Sequence, residues 1–330
     1  MADPFADVKL APFWWEQAPR EAIARAALPA EVDVAVVGSG YTGLSAALTA
    51  LRGGKSVAVF EAEEAGHGAS SRNGGGVGNF PFKLSYAATE AMLGEAGAKR
   101  LWLEGQASVD YLEALVEREQ IQAHFVRSGR YLGAHKPGAM AGLRREVAAL
   151  QTKIDAPVEI VEPKDQAGHI GSDFYHGGRF NQRDGVLHPA MFHAGLLDRV
   201  RASGGVVLDG VRVNGIRRDG AGLVVETSRG AVKAGQAAIG ANGYTDGALP
   251  SLARRIIPVV SQIIATEELP EATVRRLAPR GNMIIDTKRT VHYYRPSHDG
   301  KRILMGGRPL LRNSEAEEAA PYLRRFMVKV

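Results

Sequence analysis

The chain has 330 residues, 45% apolar, 23% charged and 7% aromatic, which is the balance of a globular protein long enough for two domains and not of a disordered or fibrous one. Cysteine is absent, and this excludes disulfides, thiolate metal sites, a cysteine nucleophile and any cofactor linked through sulfur. The net charge of +5 comes from the C-terminal quarter, where residues 251–330 hold 15 Lys and Arg against 8 Asp and Glu; these are scattered pairs such as Arg254-Arg255, Arg275-Arg276 and Arg324-Arg325, without the aromatic interleaving of a nucleic-acid reader, so nucleic acid is not an expected partner.

In chain order, the N-terminus Met1-Ala2-Asp3-Pro4 has no basic segment leading into an apolar stretch, and no apolar run approaches ~18 residues. Neither a secretory signal nor a membrane span is expected, and the protein is predicted to be cytoplasmic. Residues 1–30 carry Pro4, Pro12, Pro19 and Pro29 around Phe13-Trp14-Trp15, an extended arm whose aromatics pack on the body. Glu31 to Val37 is a β-branched apolar run, as in a strand buried on both faces of a parallel sheet. Gly38-Ser39-Gly40-Tyr41-Thr42-Gly43 follows, then a helical stretch from Leu44 to Leu51 that Gly53-Gly54 stops, then a second strand, 56–60, ending on Glu61. A glycine-rich loop occupies Glu63 to Gly78. Helices are predicted over 85–120 and 137–153, and a third opens at His188-Pro189 and runs to about Ala202. Strands are predicted at 205–209, 211–217, 222–227 and 231–240, with Asp219-Gly220 as a hairpin turn, and a second sheet at 256–265, 282–287, 290–295 and 302–307. A last helix is expected over 316–327.

Three glycines at positions 38, 40 and 43 would be a weak signal alone. Here they follow a strand, open a helix and are completed by an acid, Glu61, 23 residues beyond Gly38. Each part has a physical task. Gly38 permits the tight turn, Gly40 lets backbone touch a pyrophosphate, Gly43 lets helix pack on strand, and the helix N-terminus offers unpaired N–H groups to the anion. Glu61 would accept from an adenosine ribose and disfavours a 2′-phosphate. The alternative is a glycine turn in an α/β protein that binds no nucleotide. None of the nine histidines sits in a metal-ligand spacing, so no metal is expected.

With the second glycine loop included, the sequence resembles the D-amino-acid-oxidase-like superfamily of FAD-dependent oxidoreductases, nearest to the amine oxidases of the γ-glutamylputrescine oxidase type. The residues that carry this are Asp33 to Leu48, Gly68-Ala69-Ser70-Ser71-Arg72-Asn73-Gly74-Gly75, His188-Pro189, Val213 with Ile216, Ala241-Asn242-Gly243-Tyr244-Thr245, Pro258, Ala265-Thr266-Glu267, and Tyr294-Arg295 followed by Gly306-Gly307-Arg308. The resemblance implies an α/β (overall α+β) architecture. A Rossmann-like FAD-binding domain with a parallel sheet would be assembled from 31–85 and 183–247. A substrate domain with a mainly antiparallel sheet would come from 86–182 and 248–330, and 1–30 would remain an arm. It further implies that Gly38, Ser39, Gly40, Tyr41, Thr42 and Gly43 hold the pyrophosphate and Glu61 the ribose. Ser70, Arg72, Asn73 and Gly74 would lie along the ribityl chain and flavin edge, Val213 backbone against adenine, and Ala241 and Asn242 over the dinucleotide. On residue type alone Val213 is equally a core residue and Arg72 a solvated charge.

The second sheet is expected to present the substrate face, with His292, Tyr293, Tyr294 and Arg295 as candidates; on residue type alone Tyr293 or Tyr294 is more often core. Alternation puts His292 and Tyr294 on one face and Tyr293 and Arg295 on the other, so one pair faces the flavin. Arg295 is a candidate for a substrate carboxylate, although an arginine on a strand is more often a surface or salt-bridged residue. The reaction implied is oxidation of a C–N bond in a small amine or amino acid by hydride transfer to flavin N5, followed by hydrolysis of the imine, with O2 or another electron acceptor completing the cycle. FAD should be non-covalent, since no cysteine is available and Arg72 stands where some relatives carry a tethering histidine. Relatives continue past the Gly306-Gly307-Arg308 strand with a helix and a flavin-capping segment, and the chain is expected to be truncated relative to them at Val330. Two other functions fit parts of the pattern. One is an inactive dinucleotide-binding member that needs another segment or chain; the other is an NAD-dependent dehydrogenase.

Overall fold

A computed structural model describes residues 5–20, 22–23, 26–78, 84–308 and 315–330. Pro4 of the expected arm lies outside these residues. The arm is not extended throughout, because Phe13–Gln17 form a short helix, α1. β1 (Glu31–Val37), α2 (Tyr41–Arg52) and β2 (Val57–Phe60) follow as strand, helix and strand. β3 (Gly76–Val77) leads to α3 (Tyr86–Arg118), which breaks at Gly94, where φ is 71°. β4 (Arg130–Gly133), α4 (Ala139–Ile154), β5 (Val158–Val161), β6 (Gly178–Asn181), β7 (Gly185–Val186) and α5 (Pro189–Ala202) come next. The chain then forms β8 (Val206–Leu208), β9 (Val213–Asp219), β10 (Gly222–Thr227) and β11 (Gly230–Ile239). It closes with α6 (Pro250–Ala253), β12 (Gln262–Ala265), α7 (Glu271–Leu277), β13 (Met283–Asp286), β14 (His292–Pro296), β15 (Ile303–Gly307) and α8 (Ala316–Lys329).

Two sheets organise these elements. The first has the order β8-β2-β1-β11-β10-β9, parallel from β8 to β11 and antiparallel beyond. Crossovers through α2 and α5 bury one face against Val36, Leu44, Leu48, Val59 and Leu196. The second has the order β12-β15-β14-β13-β4-β6-β5 and is antiparallel except where β13 meets β4. This is a mixed α/β fold, with a parallel core in one sheet and a mainly antiparallel second sheet. α8 covers the second sheet through Phe326, which joins a core of Tyr131, Tyr175, Ile284, Tyr294 and Met305. No helix among the described residues is long and apolar enough to cross a membrane.

The strand expected over 256–265 is a correction. Only Gln262–Ala265 pair, while Ile257, Val259 and Val260 are exposed. Pro258 lacks an N–H and interrupts any ladder there.

Candidate functional site

The first glycine turn lies where β1, central in its sheet, meets α2. Gly38 adopts φ +93° and donates to Phe60 O at 2.8 Å, while Gly240 donates to Val37 O at 2.8 Å, so strands on both sides hold the turn. A Cβ on Gly43 would stand 1.9 Å from Gly38 O. Gly40 occupies the N-cap of α2 without a capping side chain, and Ser70 Oγ accepts from Tyr41 N at 3.0 Å. The expected ribityl residue Ser70 is therefore at the helix N-terminus, joining the two glycine segments.

Ser39 is fully buried. Its backbone N–H and its hydroxyl both donate to Glu61 Oε2, at 3.0 and 2.7 Å, and Glu63 N donates to Oε1 at 3.2 Å. The side chain expected on a pyrophosphate thus orients the acid. Asp209 lies nearby and accepts from Ala65 N at 3.0 Å; burial, with Glu61 and Glu64 alongside, pushes its pKa up to about 6. This concentration of acids would repel a 2′-phosphate.

The second glycine loop is tied at many points. Ser71 Oγ donates to Gly66 O, and Asn73 closes the loop on itself by donating to Ser70 O (2.9 Å) and accepting from Gly75 N (2.8 Å). Gly75 has φ +69°, and a Cβ there would lie 2.3 Å from Leu187 O, so only glycine fits. Gly74 faces the Tyr293 ring, which a Cβ would meet at 2.7 Å. Arg72 donates to Tyr244 OH at 2.9 Å, bringing the Ala241–Thr245 turn against the loop. Asn242 takes φ +48° in that turn. Val213 opens β9 with its side chain in the core beside Phe60 and Val211, so the side chain is structural.

Strand register decides the face of β14. Tyr293 and Arg295 point to the glycine loop, whereas Tyr294 is buried on the far side with Tyr131 and Ile284, and His292 stacks on Phe326. Tyr294 is therefore corrected from substrate face to core. Tyr293 OH lies 3.2 Å from Ser261 Oγ, and Ile285 is its register partner in β13.

Arg295 is 3% exposed and donates to Pro296 O, Gly75 O and Leu187 O at 3.0, 3.2 and 2.8 Å. Burial pushes its guanidinium down to about 10. The carboxylate-binding role expected from the sequence gives way to that of a strut beneath the loop. Arg295→Lys should therefore destabilise by about 2–4 kcal/mol, since an ammonium cannot reproduce the fork. It should lower the melting temperature without discriminating between carboxylated and plain amines.

A second group lies behind the loop. His188 caps α5 by accepting from Met191 N at 3.2 Å, and its ring lies 5.0 Å from His298 and 4.7 Å from Trp14. Burial, then His298, His124 and Arg295, push its pKa down to about 3. The unfolded histidine takes up its proton near pH 6.5 while the folded one stays neutral. Stability is thus full above pH 6.5 and falls as pH drops toward 4, by about 1.4 kcal/mol per pH unit for this group. Melting temperatures measured against pH should show that slope, and His188→Asn, which keeps a cap, should flatten it. Among the described residues no group of three or more His, Asp or Glu is arranged to hold a metal.

Three contacts carry no local sequence signal: those of Trp14 and Trp15 with the loop, and that of His193, whose Nε2 lies 2.7 Å from Ser39 O. The aromatic pair was visible in the sequence; its targets, 56 and 59 residues away, were not.

A family model described as DAO, FAD dependent oxidoreductase, matches residues 33–330. The chain is 30% identical over 304 residues to the probable oxidoreductase OrdL of Rhizobium meliloti, covering 91% of this chain and 69% of that protein. It is 32% identical over 276 residues to the gamma-glutamylputrescine oxidoreductase of Escherichia coli, covering 83% of this chain and 64% of that one. Among solved structures, glycine oxidase from Geobacillus kaustophilus shares the fold at a TM-score of 0.71 and 20% identity, over 91% of this chain and 78% of its own. The chain thus spans about two thirds of the length of these curated relatives.

Proposed function

The chain belongs to the DAO family of FAD dependent oxidoreductases, and from that premise we propose that it oxidises a C–N bond of a small amine or amino acid with non-covalently held FAD. One observation carries the reading. The Gly38–Gly43 turn, with Glu61 braced by Ser39, is joined through Tyr41 N and Ser70 Oγ to a second, tightly tied glycine loop, and Tyr293 closes on that loop from the other sheet. A cradle in which a Cβ at Gly43 has no room, beside a carboxylate already oriented, suits a dinucleotide with a ring system extending from it. The names of the E. coli and G. kaustophilus proteins, an oxidoreductase of gamma-glutamylputrescine and a glycine oxidase, favour amines over other substrates.

Each residue then has a task. The α2 N-terminus and the backbone of Gly40, Thr42 and Gly43 meet the pyrophosphate, with the Tyr41 N–H already held by Ser70 Oγ, and Glu61 accepts from the ribose hydroxyls. Arg72, Asn73 and Gly74 border the flavin, the Val213 backbone borders adenine, and Ala241 and Asn242 cover the dinucleotide. FAD, when bound, supplies a two-electron acceptor for the C–H bond next to the amine. Tyr293 and Ile285 offer an aromatic and apolar wall that excludes water and orients the substrate. No acid–base pair is required if the amine enters uncharged, so turnover should rise with pH as the amine deprotonates.

The purified chain should be yellow and release a flavin on denaturation. Candidate amines should bleach it under anaerobic conditions, and the rate of colour return in air separates an oxidase from a dehydrogenase. A colourless protein that takes up no added FAD would overturn the proposal.

A further inference from the structure

We propose that the arm segment Phe13–Arg20 is a working part of the flavin site, with Trp14 and Trp15 as positioning residues that set the shape of the second glycine loop. This rests on the assignment of that loop to FAD. Trp14 Nε1 donates to Asn73 O at 2.8 Å, and Trp15 Nε1 donates to Ser71 Oγ at 2.7 Å. Successive residues of a helix diverge by about 100°, so two neighbouring indoles reach the same loop only because the loop wraps the corner that α1 presents. Ser71 passes the contact on by donating to Gly66 O, where the loop begins, and Asn73 holds Gly75, where it ends.

Further contacts fix the arm itself. Arg20 stacks on Trp15, 3.8 Å from the ring centroid, and pairs with Glu64 at 3.0 Å. Trp14 is 1% exposed and sits against His188, with Arg295 5.5 Å from its ring. Gln17 Nε2 donates to Asp299 Oδ2 at 3.1 Å, just beyond β14. The arm therefore straps the loop to the second sheet from outside, on the side where Arg295 also holds Gly75 O.

The physical need is entropic. Residues 66–76 contain five glycines, and since glycine loses more backbone freedom on ordering than any other residue, this loop is costly to order. If that loss were incurred on cofactor binding it would weaken affinity. Two rigid indole donors set it before binding, which is preorganisation.

The test uses Trp14→Phe and Trp15→Phe in the full chain, each keeping an aromatic ring while removing the N–H. Each should raise the FAD dissociation constant about three- to tenfold, the size of one lost hydrogen bond, and speed hydrogen exchange of amides 66–76 in the apoprotein. In a Ser71→Ala background Trp15→Phe should cost nothing further, because its partner is gone. Unchanged affinity and exchange in both single variants would overturn the proposal. So would a Trp15→Phe loss of equal size with and without Ser71, which would mark a merely structural role. Should the wild-type chain bind no FAD, it is the functional assignment that fails, and loop exchange still reports whether the arm orders residues 66–76.

Discussion

Gly43→Ala should strip the protein of its cofactor and lower its stability. The added methyl would stand 1.9 Å from Gly38 O and 3.2 Å from Val36 Cγ1, well inside contact distance. The carbonyl cannot withdraw, because Gly38 N is bonded to Phe60 O and Gly240 N to Val37 O in the centre of a parallel sheet. α2 must tilt away instead, loosening Leu44, Ala47 and Leu48, which are buried against β1 and β2. Overpacking of this kind costs about 1–3 kcal/mol or more, and it moves the helix N-terminus off the place proposed for the pyrophosphate. FAD affinity should fall by roughly a hundredfold, with a clear drop in the apoprotein melting temperature. Gly142→Ala is the control: among the described residues nothing lies within 4 Å of a Cβ there, inside α4, so it should raise stability by about 0.5–1 kcal/mol and leave flavin content alone. Flavin retained at wild-type levels by Gly43→Ala would remove the close-packing argument for this turn.

Glu61→Ala carries the second large effect. The carboxylate accepts from Ser39 N, Ser39 Oγ and Glu63 N, and its remaining acceptor capacity is what a ribose would use. Removing it deletes charge-assisted acceptors worth about 1.5–3 kcal/mol each and leaves the fully buried Ser39 with unpaired donors. A loss of FAD affinity between about a hundred- and a thousandfold is expected by titration of the apoprotein. Glu61→Gln keeps one acceptor oxygen at the same reach and should fall between wild type and alanine. Equal affinity for all three proteins would refute the ribose role.

The features readable from the chain alone are those whose causes are local. The β-branched run 31–37, the glycine spacing at 38, 40 and 43, the helix closed by Gly53-Gly54 and the acid at 61 all lie within about thirty residues, and each follows from backbone sterics or from apolar pattern. The glycine run at 66–76 announced a close approach of backbone to something, because such a segment builds no core. The strand expected over 256–265 forms only at Gln262–Ala265, since β propensity does not supply a pairing partner and Pro258 removes a donor.

What lay beyond the sequence were the destinations of polar side chains and the facing of one strand. Alternation restricted β14 to two choices, but its register against β13 and β15 turned Tyr293 and Arg295 to the loop and Tyr294 to the core. Arg295 then lost its claim on substrate, because the carbonyls of Gly75 and Leu187, 220 and 108 residues away, arrive first. Ser39 turned from phosphate to Glu61, and the two arm tryptophans found the glycine loop, by the same long-range meeting. Length, composition and short-range spacing thus determined the kind of protein and the glycine turn at its centre. Which groups turn to the glycine loop and which to the core was decided only by tertiary structure, since a buried donor takes whichever acceptor the packed chain brings within hydrogen-bonding reach.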